Sequence, residues 1–529
     1  MRAASLLTLL GLFILQGVLF IPLLGIQNDE ALFGSVLFGS PSLMLMSYLG
    51  TLKSWIYALL LPFPISAFWI RFPMLVAGAV TIWLFFLLIE RLFDTRAALA
   101  GAALLATDPL YVVTTVFDWG PTALQILLVT ASLLALARRR PYLAFFLLGL
   151  AAWNKALVAW SLIGLAVGEL AVFPREALKA LKLRPAAAAA LAFGLGALPL
   201  GIYNLRQGFA TREGARLDAS DLRGKALLLR GTLEGSALFE WLAHEDREPN
   251  PLPARSAAGT ASYRLRQIAG DPRSNLTVYA VLLAVALLPW IEPRARRLCL
   301  FAVVSAAAAW LAMALTRGAG GSVHHAILLW PAPHFVAAAG LASASRRIGK
   351  TGAPALAAVV AILAPANLLV TNRYFALATR NGGTSAWTDA IFPLSRTLER
   401  IPAKQVFIVD WGIFDSLYLL HRGKLPLRVG SDPVSKPSLD AADERAVLSW
   451  LAEPGSVFVG HTEGNEMFPG VHRKLDAIAA QAGYTKDVLA TIADRNGRPR
   501  FAVYRFSAPR THRRPVPAPW GRLSGARSG

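Results

Sequence analysis

Cysteine is nearly absent. Cys299 is the single thiol in 529 residues, which excludes an intramolecular disulfide framework and any CxxC metal or redox site. Its neighbours, LCLFAVV, make it a membrane-buried thiol rather than a reactive one. Charge is also scarce, at 16% of residues against about 25% in soluble domains. Polar linkers are missing before about residue 207, although a soluble chain of this length divides into two or more domains. These shortages argue against a soluble cytoplasmic enzyme. Acidic residues number 32 against 53 basic ones, a net charge of +21. Such an excess identifies no partner until it is located along the chain.

Apolar sequence is abundant: 55% of residues are hydrophobic and the mean hydropathy is +0.48. Crossing a hydrocarbon core of ~30 Å takes about twenty apolar residues in a helix. Eleven segments answer that description: 4–26, 70–90, 97–116, 121–137, 141–153, 156–173, 185–205, 274–291, 298–316, 325–344 and 354–372. The fifth is short, and so is either tilted or fused with its neighbour. Segment 4–26 is too long for a signal peptide and has no A-x-A site before Asn28, so it is read as a helix.

Loop charges set the topology. With the N-terminus inside, the inside loops hold Arg2, Arg91, Arg96, Arg138, Arg139, Arg140, Arg175, Lys179, Lys182, Arg184, Arg294, Arg296, Arg297, Arg346, Arg347 and Lys350. Only Glu90, Asp94, Glu176 and Glu292 oppose them, and the only basic residues of the short outside turns are Lys155 and Arg317. This asymmetry follows the positive-inside rule and places everything after about residue 373 outside. The excess charge therefore lies in the inside loops and in a basic tail, and no nucleic-acid partner is expected.

The expected architecture is a polytopic α-helical membrane protein of about 11 transmembrane helices with a C-terminal extracytoplasmic α/β domain. Residues 1–372 form the membrane domain. Its first exterior loop, 27–69, contains NDEALFGSVLFG and SYLGTLKSWIYALLLPF, read as amphipathic helices at the interface. A second exterior loop, 207–273, is charge-balanced. In 373–506, KQVFIVD, GSVFVG, KDVLATIA and RFAVYRF read as strands, and GIFDSLYLLHRG, DERAVLSWLA and RKLDAIAAQAG as helices. Residues 507–529, rich in Arg and Pro without acids, read as a disordered tail. No repeat of fixed period is present.

Ionisable groups near membrane depth are functional candidates by default. Asp29 and Glu30 follow the first helix directly, and Asp118 lies in the FDWGP turn on the same face. Two carboxylates converging on one cavity suit general-base chemistry; the structural alternative is that Asn28, Asp29 and Glu30 start an interfacial helix. Lys53, Lys155, Arg317, His324 and His325 share that face and together suit a lipid-linked phosphate. Each alone also reads as a snorkelling residue. The adjacent histidines leave a divalent metal open, but without a Cys partner or an HExxH spacing none is expected. Asp108, before Pro109, reads as the cap of a second half-helix that breaks the third span. Asp410, His461 and Glu463 lie at strand ends and form no recognisable triad. Trp55, Trp69, Trp119 and Trp153 read as belt residues, with Trp119 and Trp153 also suited to stacking on a sugar.

The order of NDEALFG, YLGTLKSWIYALL, RFPMLVAGAVTIWLFFLLIERLF, LLATDPLYVV, FDWGPTALQ, LGLAAWNKA and HHAILLWPAPHFVAAAGLA resembles the GT-C superfamily of glycosyltransferases. Within it the pattern is similar to family 39, the protein mannosyltransferase and lipid A aminoarabinose transferase group. The resemblance implies an exterior cavity, a polyprenyl-phosphate-linked sugar donor taken from the bilayer, and a lipid, glycan or protein acceptor. It puts the general base at Asp29 with Glu30 beside it, and the acceptor-positioning acid at Asp118. Lys53 stands where the group has a basic residue followed by two prolines, but here Ser54 and Trp55 follow. His324 and His325 stand where many members carry Arg or Tyr. The implied reaction is an inverting displacement needing no cofactor, and the Ala- and Arg-rich composition with few Lys suits a bacterial inner membrane. A transporter or flippase is the competing class, characterised by inverted repeats and paired broken helices.

Overall fold

A computed structural model describes residues 2–40, 42–180, 183–213, 216–245 and 250–508. Lys182 and nearly all of the expected tail, residues 509–529, lie outside them. The chain divides into two compact units: 1–401 with 411–425 and 492–501, and 402–410 with 426–491 and 502–529.

The first unit is helical. All eleven apolar segments are built around helices. Among the described residues five helices are long and apolar enough to cross a membrane, seven spans result if each of two bent pairs counts as one, and four more apolar helices have 10–17 residues. Helix α1 (Arg2–Phe20) stops short of the expected residue 26. Helix α2 (Asn28–Ser35) follows, then a hairpin of β1 (Met44–Met46) and β2 (Leu49–Gly50), then α3 (Leu52–Ala58) and α4 (Ala67–Leu92). The expectation that the first loop holds interfacial helices fails for α2. Six of its eight residues are buried, Ala31 and Phe33 completely. Helix α3 does expose Trp55, whereas Trp69, Trp119 and Trp153 are buried rather than forming a belt.

The third span is broken where Asp-Pro predicts, between α5 (Thr95–Thr107) and α6 (Pro109–Val116), with a bend of 58°. Asp108 caps α6 by accepting from Tyr111 N–H at 2.7 Å, while Pro109 fits a first-turn position where no donor is needed. The other carboxylate oxygen of Asp108 meets His334 Nε2 at 3.0 Å and Trp330 Nε1 at 3.3 Å. A second break, of 72°, was not foreseen; it divides 184–206 before Leu198 and Pro199, where proline removes a backbone donor. The fifth segment is a separate helix, α8 (Pro141–Asn154), between α7 (Thr122–Ala137) and α9 (Val158–Val172). Loops assigned to the inside meet one another: Arg2 pairs with Glu90 at 2.6 Å, and Arg346 with Asp94 at 2.6 Å.

The boundary expected at residue 372 falls inside a continuous helix, Gly352–Asn381, and residues up to 401 cluster with the first unit. Helical hydrogen bonding carries through Asn372 and Arg373, so the loss of apolar character there ends the apolar run and not the helix.

The second unit centres on a sheet ordered β4 (Leu427–Val429), β3 (Gln405–Ile408), β5 (Ser456–His461), β7 (Pro499–Ser507) and β6 (Thr485–Ala493). Strand β3 runs parallel to both β4 and β5. Helices Ala441–Ala452 and Val471–Gln481 cover a core of Phe407, Val447, Phe458, Leu475 and Tyr504. Asp410 and His461, at the ends of β3 and β5, are joined at 2.7 Å. The Asp410 carboxylate also accepts from Met467 and Phe468 N–H, each at 3.0 Å, so it holds the loop after β5.

Candidate active site

The short helix α2 is fixed from three sides. Gln27 and Glu30 form a reciprocal capping box at its start. Glu30 is 1% exposed and paired with Arg71 of α4, at 2.7 and 2.9 Å. That guanidinium also donates to the carbonyls of Ile21, Leu24 and Gly25 and lies over the Phe117 ring. Arg71 thereby ties down the turn between α1 and α2. Glu30 thus belongs to this scaffold and does not share the cavity with Asp29, its sequence neighbour. The signal that could have found Arg71 is a lone arginine opening an apolar span.

Asp29, next along the helix, turns into a small cavity. Its wall consists of Leu32, Phe33, Met46, Tyr48, Leu49, Trp119, Gly120, Lys155 and His324. Burial pushes the Asp29 carboxyl up to about 6; Asp415 adds to the push, and the amides of Asn28 and Gln27 oppose it.

Asp118 and Lys53 form the back of this wall rather than its open groups. The Lys53 ammonium is fully buried and donates to Asp118 Oδ2 at 2.9 Å, Asp118 O at 2.7 Å and Gly120 O at 2.9 Å. An ammonium has three protons, so none remains for a phosphate. Phe33 packs under it, with the nitrogen 4.7 Å from the ring centre. Asp118 Oδ1 accepts from Thr122 N–H at 2.9 Å, so the carboxylate also serves the start of α7, as Pro121 at a first-turn position allows. Burial pushes its pKa up, against the pull of Lys53.

Lys155 is different. Its ammonium is buried and its nearest hydrogen-bond partner is the His324 carbonyl, at 3.5 Å. Burial pulls it down to about 8, with Asp118 opposing and Lys53 adding. The backbone holds it in place: Leu49 of β2 bridges to Lys155, and Ala156 N–H donates to Tyr48 O at 2.9 Å. Gly50 is required there, because a side chain would strike the Trp153 carbonyl.

Trp119 lines the cavity and donates its indole N–H to His324 Nδ1 at 3.0 Å; Ser322 Oγ meets the same nitrogen at 2.7 Å. An indole N–H only donates, so Nδ1 accepts and the His324 proton sits on Nε2. His325 does not line this cavity; it packs edge-on against Trp160. Arg317 is exposed and also stands away from the wall, held by a bridge between Leu217 and Thr316 beyond the helix Pro293–Ala314. Of nine sequence candidates, the cavity therefore unites Asp29, Lys155, His324 and Trp119, with Asp118 and Lys53 behind them. Among the described residues no three His, Cys, Asp or Glu side chains cluster as metal ligands.

Residues 51–199, which include Lys53, Asp118, Trp119 and Lys155, match the family model described as dolichyl-phosphate-mannose-protein mannosyltransferase. ArnT from Cupriavidus metallidurans, solved with undecaprenyl phosphate bound, is similar in structure with a TM-score of 0.57 at 13% identity, over 95% of this chain and 97% of that one. The Archaeoglobus fulgidus oligosaccharyltransferase matches with a TM-score of 0.50 at 12% identity, over 94% of this chain and 74% of that one. No curated protein sequence matches the chain. The chain has the GT-C fold that the order of its motifs led us to expect.

Proposed function

We propose that this protein is a membrane glycosyltransferase that moves a sugar from a polyprenyl phosphate to an acceptor hydroxyl, with Asp29 as general base. One observation carries the reading: a carboxylate raised to about 6 and a lysine lowered to about 8 line one cavity. A base is most effective when its pKa lies near the working pH. Asp29 takes the acceptor proton while the acceptor oxygen attacks the anomeric carbon. The bond to the lipid phosphate breaks on the opposite face, and the anomeric centre inverts. Negative charge grows on the departing phosphate, and Lys155 is the cation placed to receive it. Asp118 and Lys53, already satisfied by each other, keep the wall rigid. The fold shared with ArnT supports a lipid-phosphate donor. The charge asymmetry of the loops supports a cavity on the outer side, and an Ala- and Arg-rich composition supports a bacterial inner membrane.

The test is transfer from a labelled polyprenyl-phosphate sugar by purified protein in vesicles, with Asp29→Asn as control. Asp29→Asn is expected to abolish transfer and keep donor binding. Near-full activity of that variant refutes the assignment. The two bent helices are a feature a lipid transporter would share, and the same vesicles separate that reading, since a transporter moves the donor across without transfer.

A further inference from the structure

The helix Phe414–Leu420 belongs to the first unit and is fastened to α2 along its length. Asn28 Nδ2 donates to Asp415 Oδ2 at 3.1 Å, and Ser35 Oγ donates to Asp415 Oδ1 at 2.7 Å. In return, Asp415 N–H donates to Asn28 Oδ1 at 2.9 Å. Ser416 Oγ donates to the Ile26 carbonyl at 2.9 Å, and Leu419 packs on Gly34, where a Cβ would come within 2.9 Å of the leucine Cδ1. One carboxylate thus grips the first and last residues of the helix that carries Asp29.

Among the described residues neither Asp415 nor Asp29 forms an ion pair, and the guanidinium of Arg71, which reaches α2 from α4, is taken by Glu30. A buried charge without a counter-ion is costly, and a neutral Asn or Ser could serve as a mere tether. We infer that Asp415 is a positioning residue for the Asp29 carboxylate: it sets the register of α2 and keeps a second negative charge beside the base. This rests on the reading of Asp29 as base. The groups facing Asp29 are Asp415 from this helix, Tyr48 from the hairpin, Lys155 from the turn between α8 and α9, and His324. Of these, Asp415 alone adds negative charge at neutral pH, so its removal has a defined sign. The charged form of Asp29 becomes easier to reach, and the base becomes weaker.

The experiment compares pH profiles of transfer for the full chain in vesicles. Asp415→Asn is expected to move the acid limb of kcat/KM down by about half a unit to one unit, as loss of a neighbouring like charge does, with the donor KM unchanged. Ser35→Ala keeps the charge and loosens the grip, so it is expected to lower kcat with the limb unmoved. A folded Asp415→Asn whose limb stays in place overturns the inference. Where that variant does not accumulate, infrared titration of carboxyls in the wild type and in Asp29→Asn decides. The coupling is reciprocal, so removing the Asp29 charge must lower the pH at which Asp415 takes its proton; no change overturns the inference. This second readout needs no transfer. An inactive wild type would thus refute the proposed reaction while still leaving the coupling measurable.

Discussion

The indole N–H of Trp119 donates to Nδ1 of His324 at 3.0 Å, across 205 residues of sequence. That single bond fixes which nitrogen of the imidazole carries the proton, and it joins the FDWGP turn to the start of a later helix. Trp119→Phe keeps an aromatic ring and removes the donor. A net hydrogen bond is worth about 0.5–1.5 kcal/mol, roughly a two- to thirteenfold effect. A loss of transfer in that range is expected, read as kcat/KM with wild-type membrane levels.

The pH profile of transfer should rise through about pH 6 as Asp29 loses its proton and fall through about pH 8 as Lys155 loses its own. The bell is measured on kcat/KM, which reports groups of the free protein. A rate that is flat from pH 5 to 9 would contradict both assignments.

Asp29 also makes a stability prediction of definite sign. Its folded pKa lies above the ordinary carboxylate value, so the folded state holds that proton more tightly than the unfolded chain does. Its contribution is most favourable at low pH and is lost as pH rises through about 6. Asp29→Asn should therefore melt higher than the wild type at pH 7.5, by an amount on the order of 1 kcal/mol after allowance for solvent screening. The difference should vanish below pH 4. Thermal unfolding in detergent at the two pH values checks it.

Lys53 and Lys155 should part company under substitution. Removing one partner of a buried ion pair typically costs about 3–5 kcal/mol, so Lys53→Ala should lose folded protein, and Asp118→Ala likewise. Lys155→Ala should fold and raise the donor KM. Membrane yield and donor titration together separate the two.

Arg71→Lys should behave as a severe change. The guanidinium serves Glu30 through two nitrogens and three carbonyls besides, a geometry a lysine cannot reproduce. A drop in apparent melting temperature of several degrees is expected, whatever the transfer rate.

Much of this fold could be read from local sequence. Apolar runs located the eleven helical segments, Asp108-Pro109 marked a break, and alternating strand and helix patterns found four of the five strands of the C-terminal sheet. Strand β4, three residues long, was missed because LRV carries no period. The candidate site was only half legible. Asp29 and Lys155 stand alone in apolar surroundings, which is a local signal. That Lys53 belongs to Asp118, Glu30 to Arg71 and Asn28 to Asp415 depends on partners 65, 41 and 387 residues away, and nothing in composition or spacing pairs them. The sequence reading therefore named too many open charges: it could see each ionisable side chain but not whether another one already satisfied it.

Helix α2 carries four polar side chains in eight residues, and three of them are bound to other parts of the protein: Asn28 and Ser35 to Asp415, Glu30 to Arg71. Only Asp29 and Leu32 among the eight are not fully buried. Mutational tolerance should follow that allocation. Randomising the eight positions and sorting for chains that reach the membrane would recover variation at Asp29 and Leu32, while sorting for activity would close the first of them. A residue that folding tolerates losing and chemistry does not is the signature by which a catalytic group can be told from its scaffold.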